Sequence, residues 1–410
     1  MSVHSDAQTV IRAALAACRP DAAVHRALEG RDFPAGGVYL VSIGKAAWQM
    51  AACAAEVLGP KLRAGVVVTK YGHSMGPIPR CAVWEGGHPV PDTNSFRGTQ
   101  AAMDLVRDLG PEDQVVFLVS GGGSALFESP LVPEAELAEI TRALLAGGAD
   151  IVEMNTVRKR LSAVKGGRFA QLCAPAKVFA VVLSDILGDP LDMIASGPAC
   201  PDSSTCAQAL AVAEKYRLPL SPHAAELLAQ ETPKSLSNVE TAITGSVREL
   251  CAAAAKVCRE LGYEPLVLTD RLCCEAREAG SFLASIARSH DGAERSLAFL
   301  AGGETVVHLT GDGLGGRNQE LALAAAPGIA GMADTVLFSL GSDGTDGPTD
   351  AAGGLVDGGT LDRLTAAGLT VHDVLRRNDA YHALEAVGGL LRTGPTGTNV
   401  NDVAVVLLRR

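Results

Sequence analysis

The sequence predicts an α/β fold of two domains, each built on a mainly parallel sheet flanked by helices. Its 410 residues exceed the size at which one hydrophobic core usually stops growing, about 250–300 residues, so two domains are expected. Short apolar runs alternate with helical patterns along the chain. Hydrophobic residues make up 47% and there are 45 glycines, which excludes a disordered chain and suits a compact protein rich in tight turns.

The strands are predicted from apolar runs without polar alternation, a pattern typical of strands buried on both faces. These runs are 38–44, 64–69, 115–120, 177–185, 265–269, 297–302, 305–310, 335–340 and 403–408. Helical patterns lie between them, at 46–59, 98–110, 246–262, 275–289 and 318–326. This alternation indicates a doubly wound architecture that binds ligands outside the carboxyl ends of its strands.

The domain boundary is predicted near 235–240, because residues 228–242 are polar, rich in turn residues and the least periodic stretch of the chain. This gives a Rossmann-like α/β domain at 1–237 and a C-terminal α/β domain at 238–410.

Composition limits the partners and the compartment. With 35 basic and 46 acidic residues, a formal net charge of −11 and 4% aromatic residues, the chain has no general attraction to nucleic acid or to an anionic membrane. The first residues contain no apolar stretch that predicts a signal peptide or membrane span. Ten cysteines without a CxxC pair indicate reduced thiols. A cytoplasmic protein is expected, and any anionic ligand must be bound by local features.

Two loops in the first half place phosphate-binding residue types at strand ends. Gly44 and Lys45 lie between a strand and a helix, so Lys45 is expected beside helix N-terminal amides, which favour anions. The spacing is not that of a P-loop, and a tight turn with a solvated lysine is the alternative. The second loop, an anion-binding nest or a flexible turn, consists of Ser120, Gly121, Gly122, Gly123 and Ser124.

Basic residues then cluster in an otherwise acidic chain. Asn155 and Arg158 lie within helical reach of one another, and Lys165 follows in the same segment. Contact with a carboxylate or phosphate is one interpretation, and a solvated helix face is the other. His73 and His88 lie in turn-like surroundings without metal-ligand neighbours, so a structural role is expected for both.

Asp185 ends the apolar run 177–185, where α/β enzymes place catalytic carboxylates. The nearby Asp189 is explained by turn formation before a proline. Asp185 is therefore the candidate for a catalytic carboxylate.

A glycine-rich loop with a GxGxxG pattern precedes the helix 318–326 and carries Gly311, Gly313, Gly315 and Gly316. A dinucleotide site also needs an acidic residue about 20 residues further on, but Asp343 follows Gly316 by 27 residues. Arg317 and Asn318 at the helix start suit an anion clamp. The pattern therefore indicates phosphate binding rather than nicotinamide binding.

Two later loops add polar ligands. Asp343, Asp346 and Asp350 are spaced so that they can bind Mg²⁺ directly or through water, with Asx-turns as the alternative for one or two of them. Near the C-terminus, Thr398 and Asn399 can donate to a bound anion.

Seven sequence blocks, in order along nearly the whole chain, resemble those of the glycerate 2-kinase family, whose C-terminal half contains the MOFRL domain. The blocks are HPVPDTNSFRGT, LVSGGGSALFESP, EMNTVRKRLSAVKGGRFA, LSDILGDPLDMIASGP, GLGGRNQELAL, GSDGTDGPTDAAGG and GPTGTNVNDV.

The resemblance implies transfer of the γ-phosphoryl group of ATP to the 2-hydroxyl of D-glycerate with a divalent metal, here Mg²⁺. It implies an active site in the cleft between the domains, a MOFRL region at about 297–408, and Lys45, Asp185 and Arg317 as catalytic residues. Together with the loops above, it predicts that the nucleotide phosphates are bound by Gly44, Ser120–Ser124, Gly313, Gly315, Gly316 and Asn318. The predicted substrate-binding residues are Asn155, Arg158, Lys165, Thr398 and Asn399. The predicted metal ligands are Asp185, Asp343 and Asp346.

Two other functions stay open. Family members have also been labelled hydroxypyruvate reductases, which makes an NAD(P)H-dependent reductase the second enzyme interpretation. A non-catalytic nucleotide-binding module is the third, although it does not need so many separate polar loops. The expected ligands are D-glycerate and ATP, nucleic acid and membrane are not expected, and a homodimer is among the open oligomeric states.

Overall fold

The structure is a computed structural model that describes residues 2–33 and 36–410, which form two compact units. The N-terminal unit consists of Ala23–Leu183 and Asp189–Thr244, and the C-terminal unit of Met1–Ala22, Ser184–Gly188 and Gly245–Arg410. This division differs from the boundary expected after residue 237, because a strand that begins at Val239 belongs to the N-terminal sheet.

Helices and strands alternate through most of the chain. The helices are α1 (Val3–Ala17), α2 (Pro20–Leu28), α3 (Ala47–Leu58), α4 (Thr93–Val106), α5 (Gly123–Leu126), α6 (Glu134–Ala146), α7 (Ile151–Arg158), α8 (Arg168–Cys173), α9 (Cys206–Lys215), α10 (Pro222–Leu228), α11 (Val247–Glu260), α12 (Ala276–Ser289), α13 (Arg317–Ile329), α14 (Thr360–Ala366), α15 (Val371–Arg376) and α16 (Ala380–Ala386). The strands are β1 (Val38–Ile43), β2 (Leu62–Lys70), β3 (Cys81–Gly86), β4 (Gln114–Val119), β5 (Lys177–Leu183), β6 (Val239–Gly245), β7 (Glu264–Leu272), β8 (Leu297–Gly303), β9 (Thr335–Gly341), β10 (Gly353–Asp357), β11 (Leu390–Leu391) and β12 (Asp402–Leu408). Among the described residues, no helix has the length and apolar composition needed to cross a membrane.

The N-terminal sheet has the strand order β3-β2-β1-β4-β5-β6. The pairs β1–β2, β1–β4, β2–β3 and β4–β5 are parallel. Every residue of β4 is buried, as expected for a central strand covered on both faces. The order places a topological switch point between β1 and β4, where open α/β sheets bind ligands. The carboxyl ends of these two strands lead into Gly44 and Ser120.

The start of α3 is fixed next to the end of β1 by packing. Leu40 of β1 and Met50 and Leu58 of α3 belong to one buried apolar cluster. The residue before the helix, Ala46, has no side chain that can cap the helix amides. Donors at this helix start are therefore left for groups outside the helix.

The C-terminal sheet has the order β11-β10-β9-β12-β8-β7 and is mixed. Strands β7 and β8 are parallel, whereas β12 is antiparallel to β8 and β9, and β10 is antiparallel to β9 and β11. Four of its six strands therefore share one direction, and β10 and β12 oppose them. The α/β fold class is confirmed. The apolar run 403–408 predicted burial on both faces, which β12 shows, but such a run does not fix a strand's direction.

Helix α1 belongs to the core of the C-terminal unit. Its apolar face, with Ala7, Val10 and Ala14, lies in the same buried cluster as Leu250 of α11 and Phe338 of β9. The sequence placed this helix in the first domain, because periodicity shows which face is buried but not against what.

The strand expected at 305–310 does not form. Val306 makes only an isolated bridge to Glu275. The Asn378 side chain replaces a strand ladder here: its Oδ1 accepts from the backbone N–H groups of Thr310 at 2.7 Å and Gly311 at 2.9 Å, and its Nδ2 donates to the His308 carbonyl at 3.1 Å. A distant side chain thus decides the conformation of this apolar run.

Candidate active site

Lys45 lies at the switch point of the N-terminal sheet. Its backbone N–H donates to the Gly121 carbonyl at 2.9 Å, and the Ala46 N–H donates to Ser120 Oγ at 3.1 Å. Gly44 has a φ of +111°, and a Cβ there would lie 2.3 Å from Ser120 Oγ. The close approach of the two loops therefore requires glycine, and it brings Lys45 to the Ser120–Ser124 loop.

His88 lies beside Lys45, which the sequence did not predict. A Cβ on Gly122 would lie 3.1 Å from two His88 ring atoms and 3.2 Å from Lys45 Cγ, so both side chains border this glycine. Burial, followed by the positive charges of Lys45, Lys70 and His73, lowers the pKa of His88 below its usual value. The ring is therefore neutral at pH 7. Its sequence block, EGGHPVPD, indicated only a turn.

Lys165 and Arg158 hold the end of the Ser120–Ser124 loop. Lys165 Nζ donates to the carbonyls of Ser124 at 2.8 Å and Phe127 at 2.9 Å and pairs with Glu128 at 3.3 Å. Arg158 donates to the same Ser124 carbonyl at 3.1 Å. Burial lowers the pKa of Lys165 to about 8. Lys165 is buried and makes two hydrogen bonds and one ion pair within the protein, and these contacts do not support the expected binding of a substrate carboxylate.

Asn155 reaches the same loop through two serines. Its Oδ1 accepts from Ser196 Oγ at 2.8 Å, and Ser196 Oγ lies 3.0 Å from Ser124 Oγ. Ala195 and Ser196 both have left-handed backbones, with φ of 51° and 63°, which costs about 1–3 kcal/mol at each non-glycine residue. Such strain persists where surrounding contacts require it, and here it accompanies the contact with Ser124. Asn155 is buried and acts on this loop through Ser196.

In the C-terminal unit, Arg317 is bound by two carboxylates. Its Nε and Nη2 donate to the two oxygens of Asp402 at 2.6 and 3.0 Å, and its Nη1 donates to Glu304 at 2.8 Å. Burial alone would lower the pKa of Arg317, but the hydrogen bond and charge of Asp402 and the charge of Glu304 raise it. The expected phosphate clamp therefore already holds carboxylates. The sequence did not predict this, because Glu304 lies outside the recognised blocks and nothing in the block GPTGTNVNDV shows that its Asp402 reaches Arg317.

Asn401 connects this cluster to Asp185. Its Nδ2 donates to the Asp185 carbonyl and to Glu304 Oε2, both at 3.2 Å. Asn401 is buried and has a left-handed φ of 64°, whereas Asp185 is half-buried. The structure thus brings Asp185 and Arg317 into one hydrogen-bonded chain through Asn401 and Glu304.

Asp346 caps the start of α13. Its Oδ1 accepts from the Asn318 N–H at 3.1 Å and Nδ2 at 3.3 Å, and its Oδ2 accepts from the Gln319 N–H at 2.9 Å. A Cβ on Gly316 would lie 2.3 Å from Asp346 Cγ. Burial raises the pKa of Asp346 to about 6, although the backbone donors oppose this. A carboxylate of the protein thus occupies the helix start where a phosphate was expected, and the Asn318 donors are already used.

A cavity of about 660 Å³ lies beside the glycine-rich loop of the C-terminal unit. It is lined by Gly313, Gly315, Gly316, Arg317, Asp343 and Asp346, together with the apolar Val306 and Leu309. Thr305 also lines it, and in the part of the chain that the structure describes its buried Oγ1 has no hydrogen-bond partner. The volume of this cavity lies within the range of sites for small organic ligands, about 300–1,000 Å³.

Thr398 and Asn399 lie in the loop before β12. Thr398 is buried, and its Oγ1 finds no partner among the described residues. Asn399 is exposed. The loop is tied to the end of β9 because Ser342 Oγ accepts from the Val400 N–H at 2.8 Å.

The three aspartates expected to hold a metal do not form a ready-made site. Residues 2–33 and 36–410 contain no group of three or more His, Cys, Asp or Glu side chains that could hold a metal ion. Asp346 does not fit a metal ligand, since both its oxygens accept from helix amides. Asp343 fits better, because only its Oδ1 accepts an internal bond, from the Thr345 N–H at 2.9 Å.

Comparisons with known proteins cover nearly the whole chain. Residues 6–229 match a domain of unknown function, DUF4147, and residues 297–402 match the MOFRL family. A protein named D-glycerate 2-kinase from Thermotoga maritima is 53% identical over 97% of this chain and 97% of its own. A provisionally named hydroxypyruvate reductase from Agrobacterium vitis is 40% identical over 91% of this chain and 100% of its own. The crystal structure of a Thermotoga maritima glycerate kinase superimposes with a TM-score of 0.93 at 52% identity, covering 98% of this chain and 99% of that one.

Proposed function

Because the chain belongs to the glycerate 2-kinase family with a C-terminal MOFRL domain, we propose that it transfers the γ-phosphoryl group of ATP to the 2-hydroxyl of D-glycerate. The products are 2-phospho-D-glycerate and ADP. The observation that carries this proposal is the match to D-glycerate 2-kinase at 53% identity over 97% of both chains.

The switch point of the N-terminal sheet supplies the donors for a phosphoryl group. Phosphoryl transfer requires mainly positioning and neutralisation of charge on the transferring group. Lys45 provides a cation next to the helix start, and Gly121 and Gly122 provide backbone next to it. Lys165 and Arg158 fix this loop by binding the Ser124 carbonyl. We assign direct anion binding to Lys45 and the glycine loop, and positioning to Lys165 and Arg158.

Asp185 is the proposed acceptor-side carboxylate. It would orient the 2-hydroxyl of glycerate and accept its proton as the new O–P bond forms. Asn401 fixes the Asp185 backbone through its carbonyl, and Glu304 fixes Asn401 in turn. This chain of bonds supports a precise position for the carboxylate. Thr398 and Asn399 remain proposed substrate contacts.

The cavity of about 660 Å³ is the proposed nucleoside site. Val306 and Leu309 offer accessible apolar surface for a purine. The Thr305 hydroxyl offers an unused polar contact. D-glycerate, which is small and charged, does not need such a lining.

Mg²⁺ is proposed to enter with ATP, since kinases usually hold it by one or two carboxylates and the phosphates. Asp185 and Asp343 are the carboxylates that we propose to hold it. When bound, the ion neutralises charge on the phosphate oxygens. A cytoplasmic location and a homodimer stay predictions.

A coupled assay tests the reaction and its regiochemistry. With ATP, Mg²⁺ and D-glycerate we expect ADP, and with enolase alone we expect phosphoenolpyruvate, because enolase accepts 2-phosphoglycerate directly. Phosphoenolpyruvate only after addition of phosphoglycerate mutase would mean phosphorylation of the 3-hydroxyl. NADH oxidation with hydroxypyruvate, and no ADP from glycerate, would replace the kinase by the reductase.

A further inference from the structure

Four side chains that can carry positive charge lie at the carboxyl ends of β1, β2 and β3 or in the loops that follow these strands. They are Lys45, Lys70, His73 and His88. His73 Nδ1 lies 2.9 Å from the Lys45 carbonyl, so the loop after β2 contacts the loop after β1. Within the described ranges, neither lysine forms an ion pair with a carboxylate, although the chain has a net charge of −11. Two lysines without carboxylate partners, in an acidic protein, favour the binding of an anionic ligand beside them.

His88 is the member of this cluster that contacts the glycine loop. Its ring borders Gly122 together with Lys45, and no hydrogen bond to its ring nitrogens is present among residues 2–33 and 36–410. The charged groups that act on it are Lys45, Lys70 and His73. Asp92, which caps the start of α4, accepts from Tyr71 Oη at 2.7 Å and from the Ser95 N–H at 3.0 Å. That carboxylate is therefore engaged elsewhere.

We propose that His88 binds the phosphoryl group held at Lys45 and Gly122, and that its imidazole takes up one proton when this dianion binds. The proton comes from the solvent and goes to the free ring nitrogen, and no bond of the ligand changes. The proposal rests on the proposed function only for the identity of the anion.

The physical reason is the change of charge around the ring. Without a ligand, burial and the neighbouring cations keep His88 neutral. A bound dianion reverses the sign of the local field and stabilises the imidazolium. The site therefore gains a third cation only when a dianion is present, which favours a phosphoryl group over the singly charged glycerate carboxylate.

Calorimetry can test this proton uptake directly. The full-length protein is titrated with 2-phosphoglycerate at pH 7.5 in two buffers of different ionisation enthalpy, which gives the number of protons bound with the ligand. The phosphate is then already a dianion, because its second pKa is about 6. We expect uptake of about half a proton or more, because a free His88 is at most about 10% protonated at this pH.

Matched variants assign the proton. His88→Asn keeps a hydrogen-bond donor but cannot take up a proton, and it should abolish the uptake. His223→Asn, an exposed histidine of the same unit, should retain it. Three results would overturn the proposal. They are proton uptake in the His88 variant equal to that of the unaltered protein, loss of the uptake in His73→Asn instead, and absence of uptake in the unaltered protein. If His88→Asn does not fold, NMR titration of the His88 ring in the unaltered protein decides, since its pKa must rise with 2-phosphoglycerate.

Two further arms separate the ligand from the reaction. If D-glycerate causes a proton uptake that depends on His88 and 2-phosphoglycerate does not, the bound anion is a carboxylate. That result would overturn the assignment of a phosphoryl group to this site. ADP release is measured on the same preparation. A protein that shows the proton uptake but forms no ADP would refute the kinase while supporting the role of His88.

Discussion

Two helix starts of this molecule, those of α3 and α13, look alike in sequence and differ in structure. Both place a cation beside glycines between a strand or loop and a helix, at Lys45 before α3 and at Arg317 on α13. At α3 the cation has no carboxylate partner among the described residues. At α13, Arg317 is held by Asp402 and Glu304, and Asp346 binds the helix amides.

This difference shows that a sequence motif can predict hydrogen-bond donors at a helix start but not which acceptors of the folded protein bind them. The three acids that satisfy the start of α13 come from positions 304, 346 and 402, which are far apart in sequence. An internal carboxylate competes with any incoming anion for the same amides and guanidinium. We therefore propose that the α3 start binds the phosphoryl group and that the α13 start has a positioning role.

The largest expected effect is at Asp185, the proposed general base in the C-terminal unit. Asp185→Asn keeps the size of the side chain but removes its basicity, so kcat should fall by about 100–10,000-fold, the range for a general base. The melting temperature should stay within a few degrees. Steady-state ADP release measures this, with the exposed Asp362→Asn as the control. A variant that mainly loses stability would make Asp185 structural.

Lys45→Ala tests the α3 side of the comparison. Removal of one preorganised cation should lower kcat by about 100–1,000-fold with the fold intact, because Lys45 has no ion pair to lose among the described residues. Lys256→Ala, whose side chain is 75% exposed, serves as the control. Near-normal kcat in a folded Lys45 variant would exclude this residue from the site.

Arg317→Lys tests the α13 side, where stability should change together with activity. A lysine cannot reproduce the paired bonds to both Asp402 oxygens, so part of a half-buried ion pair is lost. We expect the free energy of unfolding to fall by about 1–3 kcal/mol, and kcat to fall with it. Denaturant unfolding measures this, with the exposed Arg295→Lys as the control. Unchanged stability with lost turnover would instead indicate a direct phosphate contact.

The smallest expected effect concerns the cap of α13. Burial raises the pKa of Asp346 to about 6, above its value in the unfolded chain, so the folded protein stays protonated at this carboxyl to a higher pH than the unfolded chain does. Between pH 4 and pH 6 the unfolded state loses the proton first, and the free energy of unfolding should decline as pH rises. Asp346→Asn should flatten this slope. Identical slopes in both proteins would mean that Asp346 does not titrate in this range.

The sequence predicts the fold well where its pattern has one structural solution. Buried apolar runs gave most strands, and the alternation with helices gave the α/β class. The run 305–310 failed because Asn378, far along the chain, binds its backbone. The direction of β12 could not be read from its apolar residues, since burial on both faces occurs with either direction.

The residues of the candidate site also differ in whether their placement could be predicted from the sequence. Lys45 and the Ser120–Ser124 loop could be predicted because helix and strand ends are local features. Lys165 was predicted to bind the substrate, but its burial against the Ser124 and Phe127 carbonyls depends on tertiary packing that its own segment does not show. For His88 a structural role was predicted, because nothing in its own segment shows that its ring reaches Gly122.

The affinity for 2-phosphoglycerate of three proteins tests the central comparison most directly. Calorimetric dissociation constants are measured for the unaltered chain, Lys45→Ala and Arg317→Lys. If the α3 start binds the phosphoryl group, Lys45→Ala should weaken binding by about 10–100-fold, the value of one charged hydrogen bond. Arg317→Lys should then change it by no more than about twofold. The reverse order, with Arg317→Lys losing the affinity and Lys45→Ala retaining it, would contradict the account.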